Sequence, residues 1–585
     1  MSEKEKMTGY PSIDQPWLKY YTEEDLKIKV PECTIYKNIY DRNKDYPEDI
    51  AILYYGNKIR YRELFTEVEA CAKTLRAIGI KRGECVNLCT AGVPEAIYVV
   101  LACSRVGAIA NFINPLFSIE QMIDRINDTE AEWILVLDAM YGYIKDALPK
   151  TCIKRVVIIP ATNSVPPMVS KLLYLKSDAR KILKNKSYGN QEYLSWKEFR
   201  GIGSSYKDAV DVPYERDTAA VMVYSSGSTG ASKGILLTND GILATNYYRN
   251  LPPDPVDRQK TFLQMIPIWF STGIVISIMI PLINGCSVIL EAKFSKELFA
   301  KDLIKYKPNM TLAATSLWLY EVSLRYKENV NLSFMECPIT GGEKISGEDE
   351  KAINSFLKNN GCLTDIFKGY GMCELGGTVT STSNAVGYRG KDCGAGYPIH
   401  GVIVSAFDMD TDDELSYGKY GEIRVCSPAR MKGYYKNPEA TADFFKIDSQ
   451  GQIWGCTGDI GYVDEDGEVF ICGRATDSAT LKTGERIYLF DIEDVIFEDE
   501  SVVQCKVVDI NTPDGTELAA HIVFKEGTDD LDTALHRIHN LLLVKLQASQ
   551  VPKYYKSRSS MPVHSNGKRD VEALRKETDG FIVYQ

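Results

Sequence analysis

The sequence predicts an α/β protein, with a large multi-sheet α/β N-terminal domain followed by a small α+β C-terminal domain. Three observations carry this. The chain has 585 residues, more than one ordinary core accommodates. From residue 51 onward, short apolar runs alternate with amphipathic stripes at helical spacing, the pattern of a layered domain with a largely parallel sheet. After Asp477 the pattern shifts to that of a compact α+β unit. The expected domains are therefore residues 1–475 and 476–585.

In chain order, residues 1–45 are polar and aromatic and read as an arm lying over the main body. Leu64, Val68, Cys71, Leu75 and Ile78 form the apolar stripe of a helix over 61–78, which Gly79 stops. A strand over 85–88, a helix over 95–106 ended by Gly107, and a strand over 108–113 follow. Between 165 and 188, after Pro166-Pro167, the residues Met168, Leu172, Leu175, Ala179 and Ile182 keep helical spacing, with six basic residues against Asp178 alone. Such a helix is either a surface helix with solvated lysines or a weak peripheral membrane contact through 168–186. The long apolar stretch 273–290 contains Pro281 and Asn284-Gly285, which predicts a buried helix followed by a strand rather than a membrane span. In the last hundred residues we expect a helix over 489–497, strands over 502–508 and 518–524, and a long helix over 532–546.

Composition narrows the function classes. A net charge of −11 argues against bulk nucleic-acid binding. The 15 cysteines are scattered without a Cys-x-x-Cys pair, the usage of reduced thiols in a cytoplasmic protein. The N-terminus has no apolar secretory core. His536 and His539 sit three apart without a further histidine or cysteine nearby, which disfavours a metal site there.

The chemistry concentrates in residues 224–234, Tyr-Ser-Ser-Gly-Ser-Thr-Gly-Ala-Ser-Lys-Gly. Apolar runs at 219–223 and 235–237 enter and leave it, so it reads as a loop between two strands. Gly227, Gly230 and Gly234 allow backbone N–H groups to approach an anion. Ser225, Ser226, Ser228 and Thr229 add hydroxyl donors, and Lys233 adds a mobile positive charge. A polyphosphate needs this set, while a flexible Ser/Gly hairpin loop would also explain it. A Walker A loop is excluded, because Ser232 precedes Lys233 and a strand follows.

Further along come Thr340-Gly341-Gly342-Glu343, Tyr370-Gly371-Met372-Cys373-Glu374, Thr457-Gly458-Asp459, Gly473-Arg474-Ala475-Thr476-Asp477, Gly484-Glu485-Arg486-Ile487 and Gly567-Lys568. Together with 224–234, this ordered set resembles the adenylate-forming (AMP-binding) superfamily of acyl-CoA synthetases, luciferases and peptide-synthetase adenylation domains, over nearly the whole chain. The resemblance implies ATP-dependent activation of a carboxylic acid with pyrophosphate release, then transfer to coenzyme A or to the phosphopantetheine thiol of a carrier protein. It implies that residues 225–233 hold the β- and γ-phosphates and that Glu374 ligates Mg²⁺. Tyr370 would stack on adenine, with Gly341, Gly342, Glu343, Gly371, Met372 and Cys373 lining the nucleotide pocket. Asp459 would accept hydrogen bonds from the ribose hydroxyls, with Arg474 beside it, and Gly484 of the Gly-Glu-x-Ile segment counts among the nucleotide-binding residues. Lys568, on a mobile C-terminal lid, would bridge the attacking carboxylate and the α-phosphate.

The chain departs from the family pattern at Cys373, where Thr is usual, at Phe270, where His is frequent, at Thr476 and at Leu489. Cys373 and Phe270 keep open a non-catalytic nucleotide-binding scaffold, against which the retention of Glu374, Asp459, Arg474 and Lys568 speaks. For the acid, residues 261–290 contain no Asp or Glu to pair an ammonium, which disfavours an amino acid. Trp269, Phe270, Ile274, Val275, Ile278 and Met279, with 316–319 and Gly376-Gly377, suit an aliphatic or aryl chain, though most of them fit a core equally well.

Overall fold

The structure, a computed structural model, describes residues 7–166, 177–184, 186–225, 232–249, 258–325, 330–382, 390–480, 486–512, 515–525, 527–528, 530–562, 570–577 and 579–584. The chain forms two compact units: residues 1–419, 423–457 and 462–470 make the first, and 420–422, 458–461 and 471–585 the second.

Two nine-stranded sheets build the first unit. In one, Ala219–Tyr224, Ile109–Phe112, Cys85–Cys89, Trp133–Leu137, Arg155–Ile159 and Gln191–Ser195 run parallel as neighbours. Its strands at 85–89 and 133–137 are buried at every residue, as expected of a parallel sheet covered on both faces. In the other, Ser287–Leu290, Thr261–Gln264, Met310–Ala313, Cys337–Gly341 and Phe367–Tyr370 are parallel neighbours. Helices close the crossovers. Tyr61–Ala77 buries Leu64, Val68, Cys71 and Leu75, the stripe expected from their spacing. Pro94–Val106 ends on Gly107 in the left-handed region, as that glycine implied.

The N-terminal arm packs on the first unit. Trp17 is fully buried, the Ser12 hydroxyl donates to Glu414 at 2.6 Å and the Tyr21 hydroxyl to the Pro398 carbonyl at 3.0 Å. The apolar stretch is a buried helix followed by a strand, as expected, but the helix opens in an unusual form. Thr272–Met279 is a π-helix, and Ile280–Ile283 continues as α-helix with Pro281 in its first turn. Proline there needs no N–H, so it starts a turn instead of interrupting the run. Ser287–Leu290 then forms the strand. Only part of the basic segment is described. Asp178–Ile182 is helical, but Ser187–Tyr188 already pairs with Gln191–Ser195 as a hairpin, while 167–176 and 185 lie outside the described residues. Among the described residues no helix is long and apolar enough to cross a membrane.

In the second unit Val502–Thr512, Gly515–Phe524, Tyr554–Arg558 and Ile582–Val583 form a four-stranded sheet. Leu489–Ile496 and Leu531–Lys545 cover it, burying Leu489, Ile492, Leu535, Ile538 and Leu542. The two long strands exceed the expected ones because their outer ends are partly exposed and carry no continuous apolar signal. His536 and His539 both stack on Tyr584, and His539 Nδ1 lies 3.0 Å from the Tyr555 hydroxyl.

Candidate active site

In an open parallel sheet, ligands bind beyond the carboxyl ends of the strands. At that end Met310–Ala313, Cys337–Gly341 and Phe367–Tyr370 lie side by side and release their loops together. The Thr315 and Thr340 hydroxyls are 3.0 Å apart. Glu343 accepts the Ser316 N–H at 3.1 Å and its hydroxyl at 3.3 Å. Gly341 pairs with Gly369, and a Cβ at Gly341 would lie 2.8 Å from the Gly369 carbonyl oxygen. Only glycine fits there. Gly342 follows at φ +82° and turns the chain out of the sheet.

Glu374 stands on the next loop, a tight closed turn. The Leu375 and Gly377 N–H groups both donate to the Met372 carbonyl, at 3.1 and 2.9 Å. A Cβ on Gly371 would come within 2.4 Å of the Gly377 carbonyl oxygen. Glu374 is only 7% exposed. Tyr434 donates its hydroxyl to Glu374 Oε1 at 3.0 Å, and the Met431 N–H donates to the Glu374 carbonyl at 2.7 Å. Beside it, the Cys373 sulfur and the Ser271 hydroxyl are 3.0 Å apart.

The Ser/Gly/Lys stretch does join two strands. Ala219–Tyr224 and Gly234–Thr238 are antiparallel, with Gly234 opposite Tyr224. Ser225 closes the neck: its N–H donates to the Lys233 carbonyl and its hydroxyl accepts the Lys233 N–H, both at 3.0 Å. Gly433–Tyr434 adds a strand on the far side, with Tyr434 opposite Ile235. The Lys233 ammonium lies 5.0 Å from the centroid of the Tyr434 ring. A hollow of about 240 Å³ beside it is lined by Arg125, Ser232, Lys233, Gly234, Tyr435 and Asn437. Ser226, Gly227, Ser228, Thr229, Gly230, Gly484 and Lys568 lie outside the described residues.

In the second unit, Asp459 is buried and pairs with Arg474, Oδ1 to Nε at 2.9 Å. The Ala475 N–H donates to the Gly458 carbonyl at 2.8 Å, which sets this pair in place.

Against this geometry, a search among known proteins places the chain. Residues 39–435 match the family described as AMP-binding enzyme. The chain belongs to that family. The resemblance of its motifs to the adenylate-forming superfamily is thus confirmed at the level of the family. It is 24% identical to a long-chain-fatty-acid–CoA ligase of Bacillus subtilis over 571 residues, 95% of this chain and 96% of that protein. It is also 24% identical to a probable 4-coumarate–CoA ligase of Dictyostelium discoideum, over 88% of this chain and 89% of that one. Among solved structures, an anthranilate CoA ligase in complex with anthranoyl-AMP superposes with a TM-score of 0.76 at 19% identity, covering 94% of this chain and 98% of that one. The α/β fold, with a large N-terminal and a small C-terminal domain, is that of these enzymes.

Arg125, Tyr434 and Tyr435 escaped the sequence reading. Nothing local in Gly433-Tyr434-Tyr435 ties it to Lys233 or Glu374. Most of the expected acid-binding residues are core. Ile274, Val275, Ile278 and Met279 are buried, and Trp318 is fully buried with its indole N–H on the Ile339 carbonyl at 3.0 Å. Phe270 is half-buried.

Proposed function

We propose that the protein is an AMP-forming acid–thiol ligase that activates a fatty or other apolar carboxylic acid and passes the acyl group to coenzyme A. The observation that carries this is the fastening of the Glu374 loop and the Lys233 hairpin to one short segment, 431–435. A buried carboxylate and a lysine beside a Ser/Gly loop are thereby held as one assembly.

Mg²⁺ fits the donor set, since Glu374 offers a hard oxygen in a polar surround. When bound, the ion neutralises charge on the triphosphate. The chain's own residues do the rest. Lys233, Ser225 and the loop hydroxyls hold the β- and γ-phosphates. Tyr370 and the Gly341–Glu343 turn take the adenine, and Asp459 with Arg474 takes the ribose. A carboxylate oxygen of the acid attacks the α-phosphorus, the bond to the bridging oxygen breaks, and pyrophosphate leaves with its charge stabilised by Lys233. Lys568 steadies the charge at the attacking end. A thiolate then attacks the acyl carbon and AMP departs. An apolar acid is supported by the absence of an acidic partner for an ammonium in residues 261–290 and by the CoA ligases named above.

The test is acid-dependent exchange of pyrophosphate into ATP across a panel of fatty, aryl and amino acids. Product mass follows, with coenzyme A against a phosphopantetheinylated carrier. Exchange with apolar acids and an acyl-CoA product is expected. Exchange with none of the panel would favour a nucleotide-binding scaffold, and acylation of the carrier alone would reassign the acceptor.

A further inference from the structure

We propose that Tyr434 is a positioning residue that holds the metal-binding carboxylate of Glu374 and the phosphate-side ammonium of Lys233 in fixed relation. This rests on the adenylation reading above. Two contacts converge on the one side chain: its hydroxyl donates to Glu374 Oε1 at 3.0 Å, and its ring lies 5.0 Å from the Lys233 Nζ. The hydrogen bond fixes the torsion of the carboxylate. The ring face seats the ammonium by attraction to its π electrons, holding the lysine near the phosphate loop before the nucleotide arrives.

The tyrosine itself is held from every side. Its strand pairs with 234–238, Tyr434 lying opposite Ile235. Its N–H donates to the Thr441 hydroxyl at 2.9 Å, and the Phe444 ring meets it edge-on with centroids 6.2 Å apart. Neighbouring backbone bonds reach both sites: the Met431 N–H to the Glu374 carbonyl at 2.7 Å and the Tyr435 N–H to the Gly234 carbonyl at 2.7 Å. A paired strand thus carries one side chain that meets both the Glu374 carboxylate and the Lys233 ammonium. Their separation is set before ligand binds, which is what electrostatic preorganisation requires.

The substitutions Tyr434→Phe and Tyr434→Leu separate the two contacts. Phe keeps the ring and loses the hydroxyl, whereas Leu loses both. Isothermal calorimetry of ATP binding across a Mg²⁺ series is the readout, with exchange kinetics beside it. For Y434F, the Mg²⁺ concentration at half-maximal ATP affinity should rise about tenfold, the size of one charge-assisted hydrogen bond. Metal-free ATP affinity should stay at the wild-type value, with at most a modest drop in melting temperature from the lost hydrogen bond. Y434L should in addition weaken metal-free ATP binding several-fold. If Y434L does not fold, Y434F alone decides. A Y434F protein that melts earlier but keeps the wild-type Mg²⁺ dependence shows a purely structural tyrosine and overturns the inference. Wild-type exchange with an unaltered Mg²⁺ midpoint in Y434F overturns it while leaving the adenylation reading standing. A wild type that binds no ATP at any Mg²⁺ concentration overturns both.

Discussion

The hydroxyl of Ser271 lies 3.0 Å from the sulfur of Cys373, the residue immediately before the buried Glu374. In the superfamily that position usually carries threonine, whose hydroxyl often contacts the α-phosphate. A thiol is a weaker donor than a hydroxyl. Cys373→Thr should therefore raise the turnover of acid-dependent exchange, about tenfold for one hydrogen bond to a charged group formed in the transition state. The KM for ATP should change little. Steady-state exchange kinetics of the variant read this directly, and an unchanged or lower kcat would show that the thiol is not limiting.

Gly371 and Gly377 set the second prediction. The Cβ of Gly371→Ala would sit 2.4 Å from the Gly377 carbonyl oxygen, so the loop that carries Glu374 must open. Overpacking of this kind costs about 1–3 kcal/mol. A displacement of roughly 1 Å at a reacting centre costs about a hundredfold in rate. Gly371→Ala should lower exchange by about that factor with only a modest drop in melting temperature. Retention of wild-type turnover would place Glu374 outside the machinery.

Lys568 gives the third. If it acts at the attacking carboxylate, its charge matters mainly in the transition state. Lys568→Ala should then depress kcat for exchange by about a hundredfold or more while ATP affinity, measured by calorimetry, stays within a few-fold of wild type. Equal loss in both would assign the lysine to nucleotide binding instead.

Glu468 provides a pH signature away from the reacting groups. It is fully buried, and its two oxygens receive the Lys391 N–H at 2.9 and 2.7 Å. Burial pushes its pKa up to about 7, against the pull of that N–H and of the Lys368 and Lys391 charges, with Asp464 adding a further push upward. The unfolded chain holds this carboxyl at its ordinary, lower value. The folded state therefore binds the proton more tightly, and its contribution to stability is full below about pH 4.5 and lost as pH rises through about 7. Glu468→Gln should remove this slope, and the full difference should be roughly 3–4 kcal/mol, at about 1.4 kcal/mol per pKa unit. Melting temperatures of both proteins from pH 5 to 8 test it. Parallel curves would mean that Glu468 stays ionised in the fold.

How much was legible follows from the range over which each feature is encoded. The helix Tyr61–Ala77 and the strand Cys85–Cys89 were readable because their burial repeats within a few residues. The strand–loop–strand setting of Lys233 was readable for the same reason: two apolar runs flank a polar loop. The π-helical turn at Thr272–Met279 was not, because an apolar run carries no mark of whether its N–H groups reach back four residues or five. Tyr434 was not, because its meaning depends on pairing with Ile235, about two hundred residues earlier in the chain.

By itself the sequence determined the α/β class, the strand–loop–strand setting of 224–234 and the family, because apolar runs, glycine, hydroxyl and charge at short spacings are local features. Tertiary structure alone decided which apolar residues of 269–279 and 316–319 are core. It also decided that one tyrosine ties the Glu374 loop to the Lys233 hairpin. Burial and strand pairing are properties of distant segments meeting, and no window along the chain contains both partners.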